Sequence, residues 1–155
     1  MSTSDYKSDA LIAKERLATV SPSMCLAKWN QTSLHLPTGL TNSCYHPPLH
    51  KMDAEAVKKN PAALHNTAEK LNQRQQMLQG EQPEGCSYCW NMEKTGEMSD
   101  RHYRSGEPWA MQDFEDIRKN PIDEHWTPRY VEVNFNNACN LKCSYCSPQF
   151  STTWG

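Results

Sequence analysis

The sequence has little of the aliphatic and aromatic mass from which a hydrophobic core is normally built. Leu, Ile, Val and Phe account for 21 of its 155 residues, below the level of about 20 % under which a core is hard to form. The net charge is only −2, which excludes the usual highly charged disordered chain and gives no indication of a nucleic-acid partner. A chain of this kind gains stability from disulfides, a metal or an assembly partner.

Membrane and secretion signals are also missing. No run approaches the roughly 18 apolar residues of a membrane span, and the residues after Met1 lack the apolar centre of a secretory signal. We therefore expect a cytoplasmic protein with no membrane partner. In a reducing cytoplasm, seven cysteines, an odd number, are poorly explained by disulfides, and their clustered spacing indicates metal or redox chemistry.

Local sequence patterns predict an α+β fold made of short elements. Residues 1–22 are polar and are expected to form a tail. Between Cys25 and Cys44, apolar and polar residues alternate up to Pro37-Thr38-Gly39, which predicts a β-hairpin with Gly39 at a positive φ. Further predictions are helices at 53–59, 67–79 (capped by Asn66) and 109–118, a tight loop at 83–90 and a strand at 130–135.

Three cysteines, Cys139, Cys143 and Cys146, form a C-x3-C-x2-C motif directly after the predicted strand. Three thiolates on so short a loop can bind three irons of a [4Fe–4S] cluster and leave the fourth iron open to a cofactor. A structural zinc site normally takes four protein ligands, so three thiolates fit it less well. The motif therefore indicates a cluster with an open coordination position.

The segment 130–148 resembles the first strand and cluster loop of the radical S-adenosylmethionine (radical SAM) superfamily, whose signature is C-x3-C-x-aromatic-C. Tyr145 fills the aromatic position. The resemblance implies a (β/α) barrel with the loop at its C-terminal rim. It also implies that SAM binds the open iron beside Tyr145 and that an electron donor protein reduces the cluster. The resulting 5′-deoxyadenosyl radical would abstract hydrogen from an unknown substrate such as a peptide or small molecule.

The other four cysteines, Cys25, Cys44, Cys86 and Cys89, are enough to close a second site. The spacing of Cys25, Gly39 and Cys44 resembles the C-x(9–15)-G-x4-C hairpin of the SPASM and twitch auxiliary-cluster domains. This resemblance implies that Cys86 and Cys89 complete the ligands of an auxiliary [4Fe–4S] cluster. Zinc remains the alternative, because both metals accept thiolate ligands. The seven cysteines thus divide into four and three.

These features predict four regions along the chain. They are a polar tail at 1–22, a SPASM/twitch-like auxiliary cluster domain at 23–95, a helical connector at 96–127 and the start of the radical SAM core at 128–155. The SAM-binding segments expected on later barrel strands do not follow. We therefore expect an N-terminal fragment of a longer enzyme, inactive by itself.

Two other classes of function remain open. The first is a zinc-stabilised interaction module without catalysis that uses the four earlier cysteines. The second is a thiol redox protein that uses Cys86 and Cys89, although that class places its C-x2-C motif at the start of a helix in a βαβ unit, which the sequence does not predict. A zinc site formed by Cys86, Cys89, Cys143 and Cys146 would leave three cysteines unused.

Overall fold

Short helices and one small sheet make up the fold, which a computed structural model describes for residues 3–136, 138, 143–144 and 151–154. The fold is mixed α+β, as the sequence predicts. The helices are α1 (Thr3–Ala18), α2 (Ala27–Asn30), α3 (Ala54–Lys59), α4 (Ala68–Leu78), α5 (Ser87–Lys94), α6 (Asp100–Gly106), α7 (Pro108–Met111) and α8 (Phe114–Lys119). The strands are β1 (Gln31–His35), β2 (Leu40–Asn42), β3 (His50–Lys51) and β4 (Tyr130–Asn134). Short 3₁₀ turns cover Pro61–Leu64, Glu84–Cys86 and Thr152–Trp154.

The N-terminal segment is a helix rather than the expected tail. Ala10, Ala13 and Leu17 follow helical spacing along α1 and are completely buried. The helix packs closely on α6, where a Cβ atom added to Gly106 would lie 2.8 Å from the main-chain oxygen of Asp9. The prediction was wrong because two of the three buried side chains are alanines, which give a weak amphipathic signal.

The predicted hairpin is confirmed. Strands β1 and β2 pair antiparallel, with Ser33 opposite Asn42 and His35 opposite Leu40. Residues 36–39 form the turn, and Gly39 has φ 66°, a left-handed conformation that favours glycine. Strand β3 extends the sheet beyond β2.

The predicted strand at 130–135 is confirmed as β4, which pairs in parallel with β1 from Gln31 and Tyr130 to His35 and Asn134. The sheet order is therefore β3-β2-β1-β4. A parallel pair needs a long crossover, and residues 36–129 supply it. Because β1 and β4 are parallel, β4 ends on the side of the sheet where β1 leads into the hairpin turn. The C-x3-C-x2-C motif comes next in the sequence.

Among the described strands, β4 lies at the edge of the sheet. Its side chains at Val131 and Val133, and the following Phe135, are exposed by 49 %, 38 % and 72 %. The sheet face on which these alternate side chains lie is thus apolar and exposed along β4.

Two of the predicted helices differ from the structure in detail. Helix α4 begins after Thr67, whose hydroxyl accepts from the Lys70 N–H, so Thr67 and not Asn66 is the cap. Asn66 instead accepts from the Arg74 guanidinium. The predicted helix at 109–118 is divided into α7 and α8. The helix predicted at 53–59 is confirmed as α3, capped by Asp53.

The core is formed by α1, α2, α4, α5, α7 and α8 together with the segment that precedes α2. Trp29 is its largest side chain, and its indole N–H donates to the Pro121 carbonyl at 2.7 Å. The Arg74 guanidinium lies 5.5 Å from the centre of the Trp29 ring. Cys25, Cys86 and Cys89 belong to the same buried cluster of side chains. None of the described helices has the length and apolar character needed to cross a membrane.

Candidate metal centre

Four cysteines that are distant in sequence line one cavity: Cys25, Cys44, Cys86 and Cys89. Cys25 lies just before α2, and Cys44 follows β2. The hairpin and the C-x2-C segment therefore meet at one place. The five cysteines within the described residues are free thiols.

The C-x2-C segment begins a helix, whereas the sequence predicts a tight loop. Cys86 is the residue before the first turn of α5, and Cys89 lies within that turn. The spacing of three residues places both side chains on one helix face. The Trp90 indole fixes the turn by donating to the Pro83 carbonyl at 2.9 Å. Gly85, expected to allow a tight turn, is not among the glycines with positive φ.

Burial raises the pKa of three of the cavity thiols and so favours their protonated form when no metal is bound. It raises the pKa of Cys25, with a smaller contribution from the neighbouring Cys86. It raises the pKa of Cys44 to about 11 and that of Cys89 to about 12. Because thiolates are the metal ligands, a metal must displace these protons when it binds.

Positive charges partly oppose the effect of burial. Lys28, Arg101 and Arg104 line the cavity beside the thiols. Arg101 is held by two hydrogen bonds to the Glu93 carboxylate, at 2.9 and 2.6 Å, and its guanidinium lies 5.3 Å from the centre of the Trp90 ring. Lys28 and Arg101 both act to lower the pKa of Cys25. Their effect is smaller than that of burial, so the pKa of Cys25 remains raised, but the positive charge suits a negatively charged group in the cavity.

The cavity is small in its present form, about 20 Å³, which is room for about one water molecule. Among the described side chains, no group of three or more His, Cys, Asp or Glu residues is arranged to hold a metal ion. The four thiols therefore surround a common space without forming finished coordination geometry. A four-iron cluster could enter only if the side chains moved apart during assembly.

The second cysteine group lies largely outside the described residues. Cys143 is described and is partly exposed. Cys139, Cys146 and the aromatic Tyr145 fall outside the described part of the chain. The radical SAM loop therefore stays a prediction.

A polar contact joins the two regions that carry cysteines. The Tyr45 hydroxyl donates to the Glu132 carboxylate at 2.6 Å, and Ser33 donates to the same carboxylate at 2.9 Å. Tyr45 follows Cys44, whereas Glu132 lies on β4. Burial, followed by the hydrogen bond that Tyr45 donates to Glu132, raises the pKa of Tyr45, so the phenol remains a donor at neutral pH.

Sequence reasoning missed the polar residues that line the cysteine cavity. Lys28, Ser43 and Arg101 carry no motif, and isolated charges are usually solvated. One signal was present for Lys28, which lies three residues after Cys25 and therefore on the same side of a helical turn. The structure adds these three residues to the candidate site.

Comparisons with protein-family models, curated protein sequences and solved structures found no match to this chain. Its function must therefore be inferred from the chemistry of its residues and their arrangement.

A second unusual feature lies beneath the hairpin, where Lys70 of α4 is completely buried. Its Nζ atom donates to the hydroxyls of Thr32 and Thr41 at 2.7 and 3.0 Å. Burial, followed by the charges of Arg74 and Lys28, lowers the pKa of Lys70 to about 6. The fold therefore favours the neutral amine.

This burial predicts a pH-dependent contribution of Lys70 to stability. Above pH 6 the folded chain binds fewer protons at this side chain than the unfolded chain, so its contribution to stability rises with pH. Between pH 6.5 and 8, the free energy of unfolding of the metal-free chain should rise relative to that of Lys70→Met by about 1.4 kcal/mol per pH unit. Urea unfolding at several pH values measures this difference. The exposed Lys51→Met variant should show no such trend, and a constant difference for Lys70→Met would contradict the assigned burial.

Proposed function

We propose that this chain is the cluster-binding part of a radical SAM enzyme. Cys25, Cys44, Cys86 and Cys89 would hold an auxiliary [4Fe–4S] cluster, and the loop containing Cys139, Cys143 and Cys146 would hold the cluster that binds SAM. The observation that carries the proposal is the convergence of the four earlier cysteines on one buried cavity. Four thiolates are the usual ligand set of such a cluster.

The residues around the cavity suit an iron–sulfur group in two further respects. Trp90 is 4 % exposed and lines the cavity, so it shields the site from water. Burial raises the pKa of Cys89, and the neighbouring Arg101 main chain and Ser99 side chain offset part of this rise. Solvent exclusion and hydrogen bonds to sulfur both affect the potential of a bound cluster.

The position of β4 supports the second part of the proposal. In the radical SAM superfamily, which the segment 130–148 resembles, the cluster loop follows the first strand of a barrel. Here β4 precedes the three cysteines, leaves one edge unpaired among the described strands, and carries the exposed Val131 and Val133. A strand of this kind suits pairing with a further parallel strand.

The chemistry of the proposed reaction belongs to the bound cofactors. Cys139, Cys143 and Cys146 would hold the cluster, which would supply the electron for reductive cleavage of SAM and so for hydrogen abstraction from the substrate. The chain itself would contribute ligands, orient the cofactor and exclude water. The proposed partners are SAM, a reducing electron donor protein and a peptide or small-molecule substrate, in the cytoplasm.

The small volume of the cavity favours one alternative, a zinc ion bound by the same four thiolates. That protein would be a zinc-stabilised interaction module without catalysis. A thiol redox function is less well supported, although Cys86 and Cys89 do begin a helix. Reactive dithiols need a lowered thiol pKa, whereas burial raises the pKa of Cys89.

Iron and sulfide content distinguishes the two metal assignments. Anaerobic reconstitution should load about eight irons and eight sulfides per chain, in two clusters. Replacing Cys139, Cys143 and Cys146 together by Ala should remove half of both. Replacing Cys25 and Cys86 by Ala should remove the other half. Chemical assays of iron, sulfide and zinc measure these contents, and one zinc per chain without sulfide would contradict both cluster assignments.

Binding of SAM tests the functional claim. In the Cys25→Ala/Cys86→Ala variant, only the three-cysteine cluster should remain, and SAM should change its electron paramagnetic resonance spectrum after reduction with dithionite. The change is expected because the open iron accepts the amino and carboxylate groups of SAM. The matched Cys143→Ala variant should show no response. An intact, reduced three-cysteine cluster that does not respond even to saturating SAM would contradict the proposal that this loop leaves an iron open to SAM.

A further inference from the structure

Lys28 is a buried cation without a counter-charge. It is 2 % exposed, and no Asp or Glu among the described residues lies within ion-pair distance of its ammonium. Among the described side chains, only the neutral amide of Gln73 accepts a hydrogen bond from it. A buried charge that is paired only with a neutral group is costly, so an anion is expected beside it.

The cavity is the place where this anion would fit. Lys28 lines the cavity with the four cysteines, and its charge acts on the thiols of Cys25 and Cys44. The other charged groups at the cavity are differently placed. Arg101 is paired with Glu93, His46 is hydrogen-bonded to Asp100, and Arg104 is partly exposed with its guanidinium over Tyr45.

Ser43 provides a second, independent observation. It is 1 % exposed, lines the same cavity, and its hydroxyl oxygen has no hydrogen-bond partner among the described atoms. A buried hydroxyl without a hydrogen-bond partner is unfavourable. A sulfide or thiolate in the cavity would accept a hydrogen bond from the Ser43 hydroxyl and so compensate for its burial.

We infer that Lys28 and Ser43 are positioning residues for the group bound by the four cysteines, Lys28 by neutralising its negative charge and Ser43 by donating a hydrogen bond to its sulfur. The inference rests on the proposed function and adds that Lys28 and Ser43 control the charge and reduction potential of the group in the four-cysteine site.

The expected effect follows from the charge of the complex. Four thiolates around an oxidised [4Fe–4S]²⁺ core carry a net charge of about −2, and one-electron reduction makes it about −3. A fixed positive charge and a donor to sulfur both stabilise the more negative, reduced form. Lys28 and Ser43 therefore raise the reduction potential. A zinc ion with four thiolates also carries about −2, so the same residues would strengthen zinc binding.

The test uses the full chain with Cys139, Cys143 and Cys146 replaced by Ala, so that only the four-cysteine site can hold a metal. The variants are Lys28→Met, which removes the charge at similar length, Lys28→Arg, which keeps it, and Ser43→Ala. The matched controls are the exposed Lys51→Met and Ser8→Ala. Anaerobic spectroelectrochemical titration gives the midpoint potential, and iron analysis and thermal unfolding show which variants are folded and loaded.

The midpoint potential should shift to more negative values in Lys28→Met and Ser43→Ala, and it should stay closer to the parent value in Lys28→Arg and in both controls. Equal potentials in all loaded variants would overturn the inference while leaving the cluster proposal intact.

If the parent binds zinc instead, the cluster proposal fails. The inference then requires about tenfold weaker zinc binding in Lys28→Met, measured with a competing chelator, and unchanged affinity overturns it. A parent that binds neither metal overturns both.

Discussion

Burial of four thiols beside positive charge is the constraint on which the rest of the structure depends. The chain has few large aliphatic residues, and its core is completed by Cys25, Cys86, Cys89, Trp29 and Trp90. Within this core, burial raises the pKa of the Cys25 and Cys89 thiols, and Lys28 has no counter-charge among the described residues. The buried, unpaired charge of Lys28 is unfavourable in an empty site and is compensated when a negatively charged metal–thiolate group replaces the thiol protons. Metal binding is therefore expected to contribute directly to folding stability.

The same constraint explains how the elements are arranged around the cavity. Cys44 ends the hairpin, and the next residue, Tyr45, is bound through Glu132 to β4. A movement of Cys44 on metal binding can therefore be transmitted through Tyr45 to β4, the strand that precedes the C-x3-C-x2-C motif. On the other side, Arg101 of α6 joins the site to the carboxylate of Glu93 on α5 and to the Met24 carbonyl. The proposed cluster site thus contacts both the sheet and the helices.

Local patterns in the sequence predicted some of these elements correctly for clear physical reasons. The hairpin was predicted because the alternation of apolar and polar residues and a glycine at the turn are local signals. The strand at 130–135 was predicted from its β-branched and aromatic residues. Helix α1 was missed because its buried stripe is mostly alanine. Helix α5 was missed because Pro83 and Gly85 suggested a loop. The parallel pairing of β1 with β4 depends on a long crossover and has no local signal.

The candidate site was also predictable only in part. The number of earlier cysteines and their resemblance to an auxiliary-cluster hairpin suggested that the four belong to one site, and in the structure they line one cavity. The buried Lys28 and Ser43 could not be predicted, because lysine and serine are usually exposed and their burial depends on how α2 and β2 pack against α4.

The most direct test of the account is a crystal structure of the anaerobically reconstituted chain with anomalous diffraction measured at the iron edge. The account predicts one anomalous peak in contact with the sulfurs of Cys25, Cys44, Cys86 and Cys89, with these side chains moved apart from their present positions. An absence of iron between these thiols, or a single zinc ion there, would contradict it.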